Sequence, residues 1–118
     1  MLGGETTVRL PPNHGRGGRN QQLALAAAQI FHDAGSDAPP VLLLAAGTDG
    51  RDGPTDAAGA IVDNYSWSAV QKAGLDPAAR LAACDAYSAL DAAGALLRTG
   101  LTGTNVADVI IALRSLSV

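Results

Sequence analysis

The sequence predicts an α/β fold, a single domain whose mostly parallel or mixed sheet is flanked by helices. Three segments carry that expectation. "ETTVRL" (5–10) alternates and holds β-branched residues, the pattern of a strand. "NQQLALAAAQIFHDAG" (20–35) has helical periodicity, and "PVLLLAA" (40–46) is a continuous apolar run. Strand, glycine-rich breaker, helix and strand in that order make a βαβ unit.

Each element has its own local reason. "MLGGETTV" enters the first strand almost at once, so Gly3 and Gly4 read as the end of a loop from an earlier segment of a longer enzyme. "PPNHGRGGR" (11–19) then breaks the chain. Asn20 is a suitable N-cap for the helix and Gly35 a suitable residue just past its end. Leu23, Ala27, Ile30, Phe31 and Ala34 form its apolar stripe, and Leu25 and Ala28 carry apolar surface round to a second side. The run 40–46 has the composition of a central strand covered on both faces.

Further on, "AAGAIVD" (57–63) reads as a short strand or a helix turn. "SWSAVQKAG" (66–74), "DPAARLAAC" (76–84) and "AYSALDAAG" (86–94) read as short helices, with Asp76 as N-cap and Pro77 at the first helical position. "ALLRTG" (95–100) is a strand entering a turn, and "VADVIIALR" (106–114) is the last strand.

Composition narrows the function. The chain has 118 residues, 47% hydrophobic but only 3% aromatic, so its core is built from Ala, Leu, Val and Ile. Eight basic residues and a net charge of −3 leave no nucleic-acid footprint. No apolar run approaches the roughly 18 residues of a membrane span, and the N-terminus has no signal-peptide pattern. A soluble, cytoplasmic protein is expected. Cys84 stands alone, which fits a reducing compartment and a buried, small apolar role.

Three polar loops carry the candidate chemistry. "HGRGGRN" (14–20) precedes the best helix, so Gly15, Gly17 and Gly18 can expose backbone amides to an anion while Arg16 and Arg19 add charged forks. It is neither a Walker A loop nor a dinucleotide fingerprint, and a flexible exposed turn explains it equally well. "GTDGRDGPTD" (47–56) offers carboxylates of the kind Mg²⁺ accepts, although Asp-Gly pairs also make ordinary turns and Asp56 could cap the next one. "TGLTGTN" (99–105) supplies Thr99, Thr102, Thr104 and Asn105 as neutral donors and acceptors. His14 reads as a solvated loop residue and His32 as a helix C-terminal one.

The order "GGETTV", "GRGGRNQ", "LLLAAGTDGRDGPTDAAGAIVD", "AGLDPAA", "DAY" and "TGLTGTNVAD" resembles the MOFRL domain, the C-terminal domain of the glycerate 2-kinase family. Members of that family also carry the label hydroxypyruvate reductase. The resemblance runs from Gly3 to about Leu113, so residues 1–118 are expected to form that one domain. It implies an ATP- and Mg²⁺-dependent kinase acting on the 2-hydroxyl of D-glycerate, with an N-terminal kinase domain, absent here, across the active-site cleft. A homodimer stays open.

Family motif positions fall on Gly4, Glu5, Arg19, Asn20, Gln21, Thr48, Asp49, Gly50, Asp52, Gly53, Thr55, Asp56, Thr102, Gly103, Thr104 and Asn105. On this resemblance Arg19, Asp49 and Asp52 are the expected catalytic residues. Arg19 would lie on the substrate carboxylate or the transferring phosphate, near the "GTDG" loop. Asp49 and Asp52 would share a pocket and hold metal or the attacking hydroxyl. Gly17, Gly18, Asn20, Thr48, Gly50, Thr102, Gly103, Thr104 and Asn105 are the expected substrate- or phosphate-binding residues. Departures are Gln22 for Glu, Cys84 for Asn, Ala86 for Ser and Leu101 for Pro. Two readings compete with the kinase. One is a stand-alone small-acid or phosphate binding module. The other is a reductase, which the missing dinucleotide fingerprint disfavours.

Overall fold

Residues 2–4, 15–104 and 107–114 are described by a computed structural model of the chain, the first three through their backbone alone. The expected strand 5–10 lies outside them, as do Glu5, His14 and Asn105. In chain order the first elements are β1 (Leu2–Gly4), α1 (Arg19–Asp33), β2 (Val41–Gly47) and β3 (Gly59–Asp63). α2 (Ser66–Lys72), α3 (Pro77–Ala82), α4 (Ala86–Ala92), β4 (Leu96–Leu97) and β5 (Asp108–Arg114) follow.

The sheet departs from expectation. Among the described residues it has five strands ordered β1-β5-β2-β3-β4, and every hydrogen-bonded pair is antiparallel rather than parallel or mixed. The first strand of the βαβ reading, 5–10, lies outside the described residues, and Gly3 and Gly4, expected as a loop end, instead belong to the strand β1. β1 and β2 both run antiparallel to β5, hence parallel to each other, but β5 lies between them. β2 and β3 are joined through 48–58 without a helix, and a parallel neighbour would need a crossover, usually helical. The chain therefore doubles back, pairing Ala46 with Gly59 and Leu42 with Asp63.

β2 is central, as its apolar run predicts. Segment 57–63 resolves as the strand β3, because Ala60 and Val62 face the helices and are fully buried. Around them pack Ala24, Leu25 and Ala28 of α1, Trp67 and Val70 of α2, and Ala86, Ala89 and Leu90 of α4. Alanine-rich surfaces let these elements approach closely. The stripe expected on α1 is not the inner face: Ala27 and Phe31 are only half-buried against the core and Ile30 is 67% exposed, while the buried face is formed by Gln21, Ala24, Leu25 and Ala28. Alanine on nearly every face of the helix leaves its periodicity too weak to pick the inner one. Among the described residues no helix is long and apolar enough to cross a membrane.

Caps set by local chemistry appear where expected. Asp76 Oδ1 accepts the N–H groups of Ala78 and Ala79 at 3.1 and 3.3 Å, with Pro77 opening α3. Gly35 follows α1 at φ +88°, the left-handed conformation that glycine adopts without strain. Asn20 does not cap α1. The N-cap is Gly18, which has no side chain to give, and Asn20 falls inside the first turn.

Cys84 is buried, as expected, but its φ is +52°. An L-residue pays about 1–2 kcal/mol for that left-handed conformation, whereas asparagine tolerates it. Asparagine is also the residue the resembled family usually has here. Cys84→Asn is expected to stabilise the fold by roughly 0.5–1 kcal/mol and to raise the melting temperature by a few degrees. A lower melting temperature would contradict this account.

Candidate functional site

Antiparallel pairing brings the polar loops to one end of the sheet. Gly47 at the end of β2 lies opposite Asp108 at the start of β5, and Gly59 at the start of β3 lies opposite Leu97 at the end of β4. Loops 48–58 and 98–107 therefore leave from the same sheet end. Thr48 fastens them by donating both its N–H and its hydroxyl to the Ala107 carbonyl, at 3.1 and 2.8 Å. In return the Thr102 hydroxyl donates to the Thr48 carbonyl, and its N–H to that of Asp49 at 3.3 Å. Gly50 meets Gly100 here, where an added Cβ would come within 2.0 Å of the Gly100 carbonyl oxygen. Only glycine allows that approach.

The third loop joins through Asp52. Its carboxylate, 2% exposed, accepts the N–H of Asn20 at 3.1 Å, the Asn20 side-chain amide at 3.2 Å and the N–H of Gln21 at 2.8 Å. A loop aspartate thus caps α1, satisfying donors that every helix leaves open at its start. Gln21 reciprocates by donating to the Thr55 hydroxyl at 2.9 Å. Gly18 permits the contact, since a Cβ there would sit 2.3 Å from the Asp52 carboxyl carbon. Burial pushes the Asp52 carboxyl above the usual carboxylate range, and the bonds from Asn20 and Gln21 oppose that shift without cancelling it.

Asp49 does different work. It is half-buried, and its Oδ1 accepts the Arg51 N–H at 3.0 Å in a turn of its own. The two carboxylates thus engage separate groups. Among the described residues no three His, Cys, Asp or Glu side chains converge to hold a metal ion.

Arg19, the first residue of α1, turns its guanidinium onto Asp108. Nε donates to Oδ2, and Nη2 to Oδ1 at 3.0 Å. Asp108 is 3% exposed while the arginine side chain remains 39% exposed. Because Asp108 pairs with Gly47, this fork brings Arg19 to the base of the "GTDG" loop. Asp108 escaped the sequence reading because a single aspartate opening a strand carries no local signal.

The loop before α1 is not a free turn. Gly15 donates to the Ala83 carbonyl at 2.9 Å, Arg16 N–H to Asp85 Oδ1 at 3.0 Å, and Tyr87 N–H to the Arg16 carbonyl at 3.0 Å. Asp85 also accepts from Arg80 at 2.7 Å and Ser88 at 2.9 Å. Burial raises its pKa, but Arg80, the Arg16 N–H and Ser88 together outweigh that and hold the carboxyl below its usual range. The "DAY" residues thus anchor the glycine loop, a role the sequence did not disclose.

Beside this anchor the Arg16 guanidinium lies 4.2 Å from the centre of the Tyr87 ring. The Tyr87 hydroxyl donates to Asp56 at 2.7 Å, and Arg98 donates to Asp56 at 3.0 Å, to Tyr87 at 3.0 Å and to Asp91 at 3.2 Å. Asp56 is therefore tied to a neighbouring helix and strand end rather than capping the next turn. The Tyr87 hydrogen bond, then Arg98, holds its carboxyl below the usual range.

Proteins similar to this chain have names. A Thermotoga maritima protein named D-glycerate 2-kinase is 51% identical over 113 residues, covering 96% of this chain but 26% of that protein. Human glycerate kinase is 46% identical across 92% of this chain and 21% of its own length. A crystal structure of Thermotoga maritima glycerate kinase superposes with a TM-score of 0.87 at 50% identity, over 95% of this chain and 26% of that one. An Agrobacterium vitis relative, 44% identical over 92% of this chain and 24% of its own, is named instead for hydroxypyruvate reductase. The chain thus spans about a quarter of the length of the relatives it matches. The pattern shared by such sequences is found over residues 1–108, and the chain belongs to the MOFRL family.

Proposed function

We propose that this chain is the smaller, C-terminal part of a glycerate 2-kinase. It transfers phosphate from ATP to the 2-hydroxyl of D-glycerate together with an N-terminal kinase domain, supplied in cis or in trans. The observation that carries this reading is the junction of three glycine-bearing loops with an oriented arginine at one sheet end, on a chain 51% identical to a protein named D-glycerate 2-kinase. Phosphoryl transfer is mostly positioning and neutralisation of charge, so a fixed guanidinium beside hydrogen-bonded glycine loops suits it.

Within this reading Arg19 binds the substrate carboxylate or the transferring phosphate. Gly17, Gly18, Thr48, Gly50, Thr102, Gly103 and Thr104 bind the substrate or phosphate beside it, and Asn105, outside the described residues, joins them on the family resemblance alone. The donor set fits Mg²⁺ through Asp49, with waters and phosphate oxygens completing its shell. It does not fit through Asp52, both of whose oxygens already accept N–H bonds. Asp52 and Asn20 instead hold the loop against α1.

No lysine-bearing phosphate loop occurs in the chain, so the 118 residues alone are expected to fold without phosphorylating glycerate. The assay is ADP release with ATP, Mg²⁺ and D-glycerate. It compares the chain alone with a single polypeptide in which it replaces the matching quarter of the Thermotoga maritima enzyme. Activity only in the chimera supports the proposal. Glycerate-dependent turnover by the chain alone at about 1–100 s⁻¹ would make it a minimal kinase. An active reductase in place of a kinase would show as NADH oxidation with hydroxypyruvate.

A further inference from the structure

β2 is apolar on both faces, but only one face is covered by the described elements. Leu43 and Ala45 pair with Val62 and Ala60 on the side where α1, α2 and α4 pack. On the other side Leu42 lies directly opposite Leu113, and Leu44 lies between Ile61 and Ile111. Leu42 is 43% and Leu113 60% exposed, and Leu44, Ile61 and Ile111 are half-buried. No described helix or strand packs on that side. An antiparallel strand with one wet face alternates apolar and polar residues, whereas a continuous run such as "VLLLAA" belongs to a strand with two dry faces.

We propose that this second face, centred on Leu42, Leu44, Ile111 and Leu113, is the seat of an apolar surface on the remaining three-quarters of a glycerate-kinase polypeptide. The inference rests on the two-part kinase reading and adds where the parts meet. Two further observations select that occupant. The same fold, at a TM-score of 0.87, makes up only 26% of the solved Thermotoga chain, so there it shares a polypeptide with a body about three times its size. The face also runs along β2 and β5 to Gly47 and Asp108, where the candidate site begins, so a body seated on it reaches the loops. The loop end itself offers Leu101 as its exposed large apolar residue, among otherwise polar side chains. A permanent interface needs more apolar area than that. At the far end of the face an open cleft of about 400 Å³, lined by Pro40, Leu42, Tyr65 and Leu113 with Asp63 and Arg114 at its sides, can receive an anchoring side chain.

The test compares Leu42→Asp with Leu113→Asp, together, in the isolated chain and in the chimera. The isolated chain is expected to melt within about 1–2 °C of its unsubstituted form, since exposed positions tolerate charge. The chimera is expected to lose at least about 5 °C, because the charges then enter a closed interface. An equal loss in both would mean that the chain's own residues cover the face, and the proposal would fall. No loss in an active chimera would overturn it while leaving the kinase reading intact. If sedimentation shows the isolated chain as a dimer that the substitutions dissolve, a second copy owns the face, which also overturns the proposal. A chimera that is destabilised as expected yet inactive on glycerate would sink the kinase reading and leave the docking face standing.

Discussion

Arg19→Lys in the chimeric enzyme is expected to lower glycerate-dependent turnover by about 100-fold, the scale set by a misplacement of roughly 1 Å at a reacting centre. The guanidinium uses Nε and Nη2 to grip Asp108 at the start of β5, which fixes the plane of the fork. An ammonium can approach Asp108 but cannot hold that plane or present two parallel donors to a carboxylate or phosphate. The fall should appear mainly in kcat if the arginine acts on the transferring phosphate, and mainly in KM if it holds the glycerate carboxylate. Asp108→Asn provides the companion measurement. It keeps the arginine and loosens its orientation, so its loss should be smaller and share the same kinetic pattern. Some stability is expected to go as well, because Asp108 is buried and loses part of its pairing in either variant. Thermal melts therefore accompany the kinetics. Near-normal turnover of a folded Arg19→Lys enzyme would remove Arg19 from the mechanism.

Asp52→Ala is expected to be the most destabilising single change, by about 3 kcal/mol, or a melting temperature lower by roughly 10–15 °C. Alanine leaves the Asn20 and Gln21 N–H groups and the Asn20 amide without their acceptor in a buried position. It also releases the 47–56 loop from α1, so hydrogen exchange should rise at Asn20, Gln21 and Thr55 together. Asp52→Asn keeps one acceptor oxygen and should cost about half as much. Its cost should also depend on pH. The folded carboxyl titrates above the reference value of 3.8, so its contribution is full below that value and declines as pH rises through the folded pKa. The gap between wild type and Asp52→Asn is expected to narrow over that interval in denaturant titrations. A gap that widens with pH, or an Asp52→Ala protein that melts with the wild type, would remove Asp52 as the helix anchor.

The two aspartates of "GTDGRDG" show how far local pattern reaches. Aspartate followed by glycine signals a turn, and Asp49 makes one with Arg51. The same signal precedes Gly53, yet Asp52 serves a helix 31 and 32 positions earlier in the chain. Turn chemistry is decided by neighbours in sequence, and nothing in a tetrapeptide encodes which distant donors will stand beside it. The same limit hid Asp85 and Tyr87, whose partners Arg16 and Arg98 come from other segments.

By itself the sequence determined the elements with local causes. They are the helix ending at Gly35, the Asp76–Pro77 start of α3, the central strand read at 40–46, the buried Cys84 and the three polar loops. Each follows from hydrogen bonds or side-chain periods spanning a few residues. Only the tertiary structure decided that β5 enters between β1 and β2, and that the sheet expected as mostly parallel or mixed is antiparallel. It alone chose Asp52 over Asn20 as the cap of α1, and it alone joined Arg19 to Asp108 across 89 positions. These are choices among partners far apart in the chain, where apolar periods and turn residues are the same for every competing pairing. What settles them is which arrangement buries Ala60, Val62 and Leu25 together while leaving the fewest backbone donors unpaired.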